Sequence, residues 1–275
     1  MSQQADATPE ELLKRTLKTF HTVIDFALRV SLKLNGQPTT VPGEMASIVH
    51  TKMCINATSA EHLCGAKLFD HSAIMTVCRM CMEAMTLYYY LNEEVDATEW
   101  DCRELVLRLH DTCARIKLTR ATREEGQYQD LLDGRDSLKQ DLENNAFFKS
   151  KAAKMRAAKL LSGDVIFIGG MRAAAVRAAG WREEQFVSLY NYLSQHVHTA
   201  PMAFMRVRKH NVSFSEPGDA QRCMVALALN IAEFCLLRVS MHYLASSPAT
   251  RSEFGKAELE EFETELQNPR ILTGK

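Results

Sequence analysis

The stretch from Ala73 to Leu91, AIMTVCRMCMEAMTLYYYL, decides the fold of this chain. Arg79 and Glu83 are its only charged residues. An apolar run of this length is too long for a strand and is typical of a buried helix. Because charges at mid-span are costly in lipid, the stretch is predicted to be a helix inside a helical bundle rather than a membrane span.

Helical periodicity continues on both sides of this stretch. A second apolar run, Cys223 to Leu237, contains Asn230 and Glu233 and is also predicted to be a buried helix, beginning at Pro217. Glycine (12) and proline (7) are few, which favours long helices joined by short loops. Further helices are predicted over 9–34, 44–57, 59–92, 99–122, 136–148, 151–161, 182–198 and 252–267. The run Val165 to Gly170 resembles an unpaired strand and is interpreted as a buried connector or helical turn.

The predicted fold class is therefore all α, a single multi-helix bundle with long buried central helices. A chain of 275 residues is compatible with one large domain. We predict a helical bundle domain over 1–250, and an acidic C-terminal helix with a loose tail over 251–275.

Charge and cysteine content limit the functional classes. Lys plus Arg (33) nearly balances Asp plus Glu (34), so no global field attracts nucleic acid or a membrane surface. The cysteines lie mostly in apolar helical runs, as free buried thiols do, and the polar start lacks a secretory segment. A cytoplasmic location and no membrane association are predicted. Cys78 and Cys81 form an isolated C-x2-C, whereas structural zinc needs four ligands, so neither a metal nor a cofactor is predicted.

Three apolar helices each carry polar residues at spacings of three or four, which place them on one helix face. Because uncompensated buried charge is costly, these residues are expected to meet. The predicted polar cluster comprises Arg79, Glu83, Tyr190, Ser194, His198, Asn230 and Glu233. One interpretation is a structural network that fixes helix register. The other is a pocket in which His198 is an acid or base and Arg79 binds an anion. The structural interpretation is favoured, since such networks perturb their members much as active sites do.

Two of these segments resemble a known family. Arg79-Met80-Cys81-Met82-Glu83 resembles the R-x-x-x-E helix of a bacterial family known only as a domain of unknown function. The run from Leu189 to Pro201 resembles the Y-x-x-L-S-x-x-V-H segment of the same family. The resemblance spans about 73–206 and implies an all-helical cytoplasmic bacterial protein, without an established activity.

A looser resemblance is to the HEPN group, helical bundles of toxin–antitoxin and phage-defence systems. Their ribonucleases need no metal and use an arginine and a histidine separated by four to six residues. Arg103 and His110 have six residues between them. That family usually has Asn, Asp or His directly after the arginine, whereas here Glu104 follows. The resemblance implies RNA cleavage by Arg103 and His110, exposed together and commonly across a dimer interface.

A basic segment offers a separate hypothesis. It comprises Lys149, Lys151, Lys154, Arg156 and Lys159, and is followed by Arg172, Arg177 and Arg182. Such a run is usually a solvated helix face. Lysine and arginine also supply most contacts to phosphate, so RNA or another polyanion is an alternative partner.

Two functional hypotheses follow from the sequence. The first is a noncatalytic regulatory or binding module, either a homodimer or a member of a bacterial defence or stress system. The alternative is a HEPN-like metal-independent ribonuclease. The exposure of Arg103 and His110 distinguishes the two, because only the ribonuclease needs both side chains on one accessible surface.

Overall fold

The structure is a computed structural model, which describes residues 7–37, 40–122, 126, 128–151, 157–197 and 215–268. Within these ranges every regular element is an α-helix, so the predicted all-α class is confirmed. The helices are α1 (Pro9–Leu34), α2 (Val41–Cys64), α3 (His71–Leu91), α4 (Ala97–Thr122), α5 (Tyr128–Asn144), α6 (Ala146–Lys151), α7 (Ala157–Leu161), α8 (Met171–Arg177), α9 (Glu183–Val197), α10 (Asp219–Ala245), α11 (Pro248–Arg251) and α12 (Lys256–Gln267).

Capping side chains fix the helix ends. Thr8 and Glu11 form a capping box at the start of α1, where the sequence predicted it to begin. The predicted break between 57 and 59 is wrong, because α2 continues to Cys64. The hydroxyl of Ser59 donates to the carbonyl of Ile55, 2.8 Å away, so this residue is accommodated inside the helix. Asp70 caps α3 instead, accepting hydrogen bonds from the N–H groups of Ser72 and Ala73 at 2.9 and 3.1 Å.

The described residues divide into two compact units. Unit 1 combines 1–92 with 184–275, and unit 2 is 93–183. The sequence predicted one bundle over 1–250, and the structure differs because the middle segment builds a hydrophobic core of its own. That core contains Cys102, Val106, Leu109, Leu142, Phe148 and Leu160.

Unit 1 is built around α10, which contacts α1, α2 and α3. The predicted acidic C-terminal helix, α12, belongs to the same unit. The Phe26 ring lies 5.6 Å from the ring of Phe254 and 4.5 Å from that of Phe262. Aromatic packing therefore attaches the C-terminal segment to α1.

One helix in the described part of the chain, α10, is long and apolar enough to cross a membrane. Of its most apolar window, 67% is buried inside the protein. Its position at the centre of unit 1 accounts for its apolar composition without a membrane.

Unit 2 places α4 against α5, α6 and α7. The run Val165 to Gly170 forms no regular element, and Phe167 and Ile168 within it are buried. Gly169 and Gly170 both have positive φ, which turns the chain into α8. The interpretation of this run as a buried connector is confirmed.

Candidate functional site

Three of the predicted polar residues meet between α3 and α9. The Nε and Nη2 atoms of Arg79 donate to Oε1 of Glu83 at 2.9 and 2.6 Å. Nη2 also donates to the Tyr190 hydroxyl at 3.0 Å, and that hydroxyl donates to Oε1 of Glu83 at 2.8 Å. The guanidinium carbon lies 4.8 Å from the centre of the Tyr190 ring, so a cation–π contact adds to the hydrogen bonds. These residues are called the Arg79 cluster below.

The Arg79 cluster is closed on itself. Oε1 of Glu83 accepts three of the four donated bonds and the Tyr190 hydroxyl accepts the fourth, and the charges of Glu83 and Arg79 neutralise each other. Burial and the neighbouring Glu83 raise the pKa of Tyr190, which keeps its hydroxyl protonated as a donor. Among the described residues, the buried Nη1 atom of Arg79 has no hydrogen-bond partner. The contacts hold α9 against α3 and engage Oε1 of Glu83, Nε and Nη2 of Arg79 and the Tyr190 hydroxyl.

The other predicted members do not complete one seven-residue cluster within the described residues. Ser194 donates to the carbonyl of Tyr190 in its own helix, 2.6 Å away, as hydroxyls four residues along a helix can. Glu233 accepts a hydrogen bond from Thr19 of α1 at 2.9 Å, because its face of α10 is turned towards that helix. The buried Oδ1 of Asn230 has no partner in the described part of the chain. His198 lies outside the described residues.

A group of histidines that the sequence analysis did not select lies between α3, α9 and α10. The rings of His71 and His196 are 5.7 Å apart, Nδ1 of His196 lies 3.3 Å from the Ser72 hydroxyl, and Gln221 approaches His71 at 3.5 Å. Burial lowers the pKa of both histidines, to about 4 for His196, where repulsion from His71 adds to the effect. Both rings are therefore neutral near pH 7. Their partners come from different helices, so no spacing within one helix reveals the group.

Buried histidines make the fold sensitive to acid. His50 is fully buried, with Nε2 2.9 Å from the Ser240 hydroxyl, and burial lowers the pKa of His50 from 6.5 to about 4. The unfolded chain binds this proton below pH 6.5, whereas the folded chain binds it only below about pH 4. The stabilisation is therefore complete above pH 6.5 and is lost as the pH falls towards 4. For His50 alone the loss approaches roughly 3 kcal/mol.

Urea unfolding at about pH 7.5 and about pH 5 measures the larger part of this loss, because the remainder occurs below about pH 5. The variant His50→Gln is expected to flatten the pH dependence, while His62→Gln, an exposed control on the same helix, is expected to leave it as in the wild type. If the free energy of unfolding fell equally between the two pH values in the wild type and in His50→Gln, the assignment of the acid sensitivity to His50 would be contradicted.

Arg103 and His110 do not form the exposed pair that the ribonuclease hypothesis requires. The side chain of Arg103 is 0% exposed. It donates to Glu93 at 2.7 Å and through Nε to Glu99 at 3.1 Å, and Arg177 also pairs with Glu93. His110 is half-buried, with Nδ1 2.8 Å from the carbonyl oxygen of Gly163. A spacing of seven does place both residues on one face of α4, but that face packs into unit 2.

The structure describes only part of the predicted basic segment. Lys149, Lys151 and Lys159 are exposed, whereas Lys154 and Arg156 lie outside the described residues. Of the arginines that follow, Arg172 pairs with Glu183, Arg177 pairs with Glu93, and Arg182 is exposed. Paired arginines contribute less to phosphate binding, so the described part of this segment is a solvated helix face with scattered lysines.

The described residues include no metal site, and the two cysteines of the C-x2-C are buried. These residues contain no group of three or more His, Cys, Asp or Glu side chains placed to hold a metal ion. Cys78 and Cys81 are buried, and burial raises the pKa of Cys81 to about 12 and that of Cys78 well above its usual range. Since the thiolate is the reactive form, this C-x2-C serves in core packing.

Fold and site together define an all-α protein whose buried polar residues are largely paired with one another. No protein-family model, no curated protein and no solved structure matches the chain. The resemblance to the bacterial family of unknown function and the looser one to the HEPN group therefore stay predictions.

Proposed function

We propose that this chain is a noncatalytic helical module of the cytoplasm, with a regulatory or binding role exerted through its surfaces. The main support for this proposal is that the hydrogen bonds of the Arg79 cluster join its own three residues. Arg79, Glu83 and Tyr190, three of the seven residues of the predicted polar cluster, are bonded to one another. The family resemblance supports a bacterial protein, and the HEPN resemblance supports a place in a defence or stress system.

A catalytic use of the cluster would require different geometry. A general base needs a free lone pair within hydrogen-bond reach of its substrate, and a pKa near the working pH. Oε1 of Glu83 already accepts from Arg79 and from Tyr190. Releasing it would separate a charge pair whose arginine side chain is only 16% exposed. Such a separation is costly, so the cluster is better suited to holding helices together than to turnover.

The burial of Arg103 supports the same proposal against the ribonuclease alternative. To reach RNA, the Arg103 guanidinium, which is 0% exposed, would have to leave its ion pairs with Glu93 and Glu99. A guanidinium held between two carboxylates is also electrostatically neutralised, whereas cleavage needs it to stabilise developing negative charge on phosphate.

Incubation of purified protein with varied RNAs in EDTA tests the proposal. The wild type is expected to leave RNA intact, beside a metal-independent ribonuclease as positive control. His110→Ala and His198→Ala are run in parallel, each checked for folding by circular dichroism. RNA cleavage by the wild type that disappears in a folded His110→Ala would overturn the noncatalytic proposal. Cleavage lost only in a folded His198→Ala would make His198 a catalytic residue and would overturn the proposal equally.

A further inference from the structure

Helix α2 carries an exposed line of large apolar side chains. Val41, Ile48 and Ile55 are 53%, 64% and 52% exposed. They are seven residues apart, so they lie along nearly one line on the helix surface, over about 21 Å. Glu44 and Lys52 flank Ile48 at four residues on either side, are exposed, and form no ion pair with any described residue.

Helix α1 extends the same surface. The contacts of His21 with Glu61 at 2.8 Å and of Ser31 with Thr51 at 3.1 Å show that α1 and α2 run antiparallel. Around the axis of α1, Leu28 and Leu32 are rotated away from Ser31, the residue that contacts α2. Around the axis of α2, Ile48 and Ile55 are rotated away from Thr51 in the same direction. In antiparallel helices such side chains emerge on the same side. Leu32 is 81% exposed and Leu28 is 37% exposed.

Together these side chains form the α1–α2 face, which comprises Leu28, Leu32, Val41, Ile48 and Ile55. Half of the ten large hydrophobic residues that are exposed in the described part of the chain belong to it. Single exposed apolar residues are ordinary, but a concentration on one side of two packed helices is typical of an interaction surface.

We propose that the α1–α2 face binds a second copy of this chain, with the two α2 helices antiparallel and the two-fold axis at Ile48. In that arrangement each residue meets the one equally far from Ile48 on the other subunit. Val41 then packs against Ile55 of the partner subunit. Glu44 lies opposite Lys52 of the partner subunit. The two Ile48 side chains pack together on the axis.

The chemistry of the face favours a second copy over an unrelated protein. A two-fold interface must be self-complementary, so every position needs a matching partner within the same sequence. Along α2 from Val41 to Ile55, apolar positions pair with apolar ones, and Glu44, the one exposed acid of that stretch, pairs with Lys52, its one exposed base. The α1 leucines widen the contact beyond a single helix pair, as a stable interface requires. This inference goes beyond the proposed function, and RNA cleavage would leave it standing.

Sedimentation equilibrium of the full chain tests the dimer. The wild type is expected to be a dimer at about 100 µM, a concentration that detects even weak association. Ile48→Asp is expected to be a monomer, because symmetry places the two new carboxylates against each other on the axis. Leu118→Asp, at a 63% exposed leucine of α4, is the matched control and is expected to remain a dimer.

Charge exchange tests the antiparallel register. Glu44→Lys alone and Lys52→Glu alone are each expected to raise the dissociation constant about tenfold, because symmetry repeats every like-charge pair twice. The double variant Glu44→Lys/Lys52→Glu is expected to restore wild-type association. A monomeric wild type, or a dimer that survives in Ile48→Asp, would overturn the proposal. A double variant as weak as the single ones would overturn the proposed register.

Discussion

The substitution Arg103→Met is expected to lower the free energy of unfolding by about 3–5 kcal/mol. Methionine keeps most of the volume of the buried side chain, so the loss comes mainly from the charges. Glu93 and Glu99 are 21% and 14% exposed, and both lose their closest cation. Carboxylates so poorly solvated are destabilising when unpaired, and Arg177, itself 51% exposed, compensates only in part.

The matched control is Arg108→Met on the same helix. Arg108 is 61% exposed and lies 3.8 Å from Glu104, so its loss is expected to cost less than about 1 kcal/mol. Adding Glu93→Gln and Glu99→Gln to Arg103→Met is expected to recover part of the stability, since the unpaired charges are then removed. Chemical denaturation measures all of these variants. If Arg103→Met and Arg108→Met lowered the free energy of unfolding equally, the prediction that the buried ion pairs of Arg103 stabilise unit 2 would be contradicted.

Gly163→Ala is the second substitution with a large expected effect, about 2–4 kcal/mol. Gly163 has φ of +70°, a conformation that strains any residue with a Cβ. The added Cβ would also lie 2.6 Å from Sγ and 2.8 Å from Cβ of Cys113, which is buried. Relief of that overlap would shift the backbone of Gly163, whose carbonyl oxygen accepts the hydrogen bond of His110.

Gly36→Ala separates strain from overlap. Gly36 has φ of +77° and nothing within 4 Å of an added Cβ, so only strain of about 1–2 kcal/mol is expected there. Thermal or urea unfolding gives both values. If Gly163→Ala cost no more than Gly36→Ala, the close packing of the 163 turn against α4 would be contradicted.

The sequence was most informative where a signal is local. Thr8, Pro9 and Asn35 bound α1, and the observed helix has the predicted ends because capping and the proline constraint act within one turn. The boundary between α2 and α3 was misplaced because a new helix was predicted to begin at Ser59, whereas the Ser59 hydroxyl bonds to a carbonyl within α2. The sequence around a serine does not reveal whether its hydroxyl caps a new helix or bonds to a carbonyl within a continuing one.

The candidate site shows the same limit at longer range. Spacing predicted that Arg79 and Glu83 share a face and offered Tyr190 as their partner, and the structure brings these three together. Spacing within a helix does not determine which helix packs there, so Glu233 lies against Thr19 instead. Glu99 lies four residues before Arg103 on the same helix, a spacing that allows a pair, whereas Glu93 precedes that helix and spacing within it does not reveal this second partner.

The separate core of unit 2 was also beyond the reach of periodicity. The apolar positions of α4, α5 and α7 show helical spacing in either arrangement, whether they pack on the central helices or on one another. The choice depends on which faces are complementary in shape. That information arises only from contacts such as those of Leu109, Leu142 and Leu160.

We infer that the polar residues of the Arg79 cluster hold α3 and α9 together. A double-mutant cycle between Glu83→Gln and Tyr190→Phe, measured as free energies of unfolding, tests it most directly. We expect each single variant to be less stable and a coupling free energy of about 1 kcal/mol, since their hydrogen bond joins α3 to α9 through a charged acceptor. Single variants as stable as the wild type, with no coupling, would contradict the claim and return these residues to the status of candidate ligand contacts.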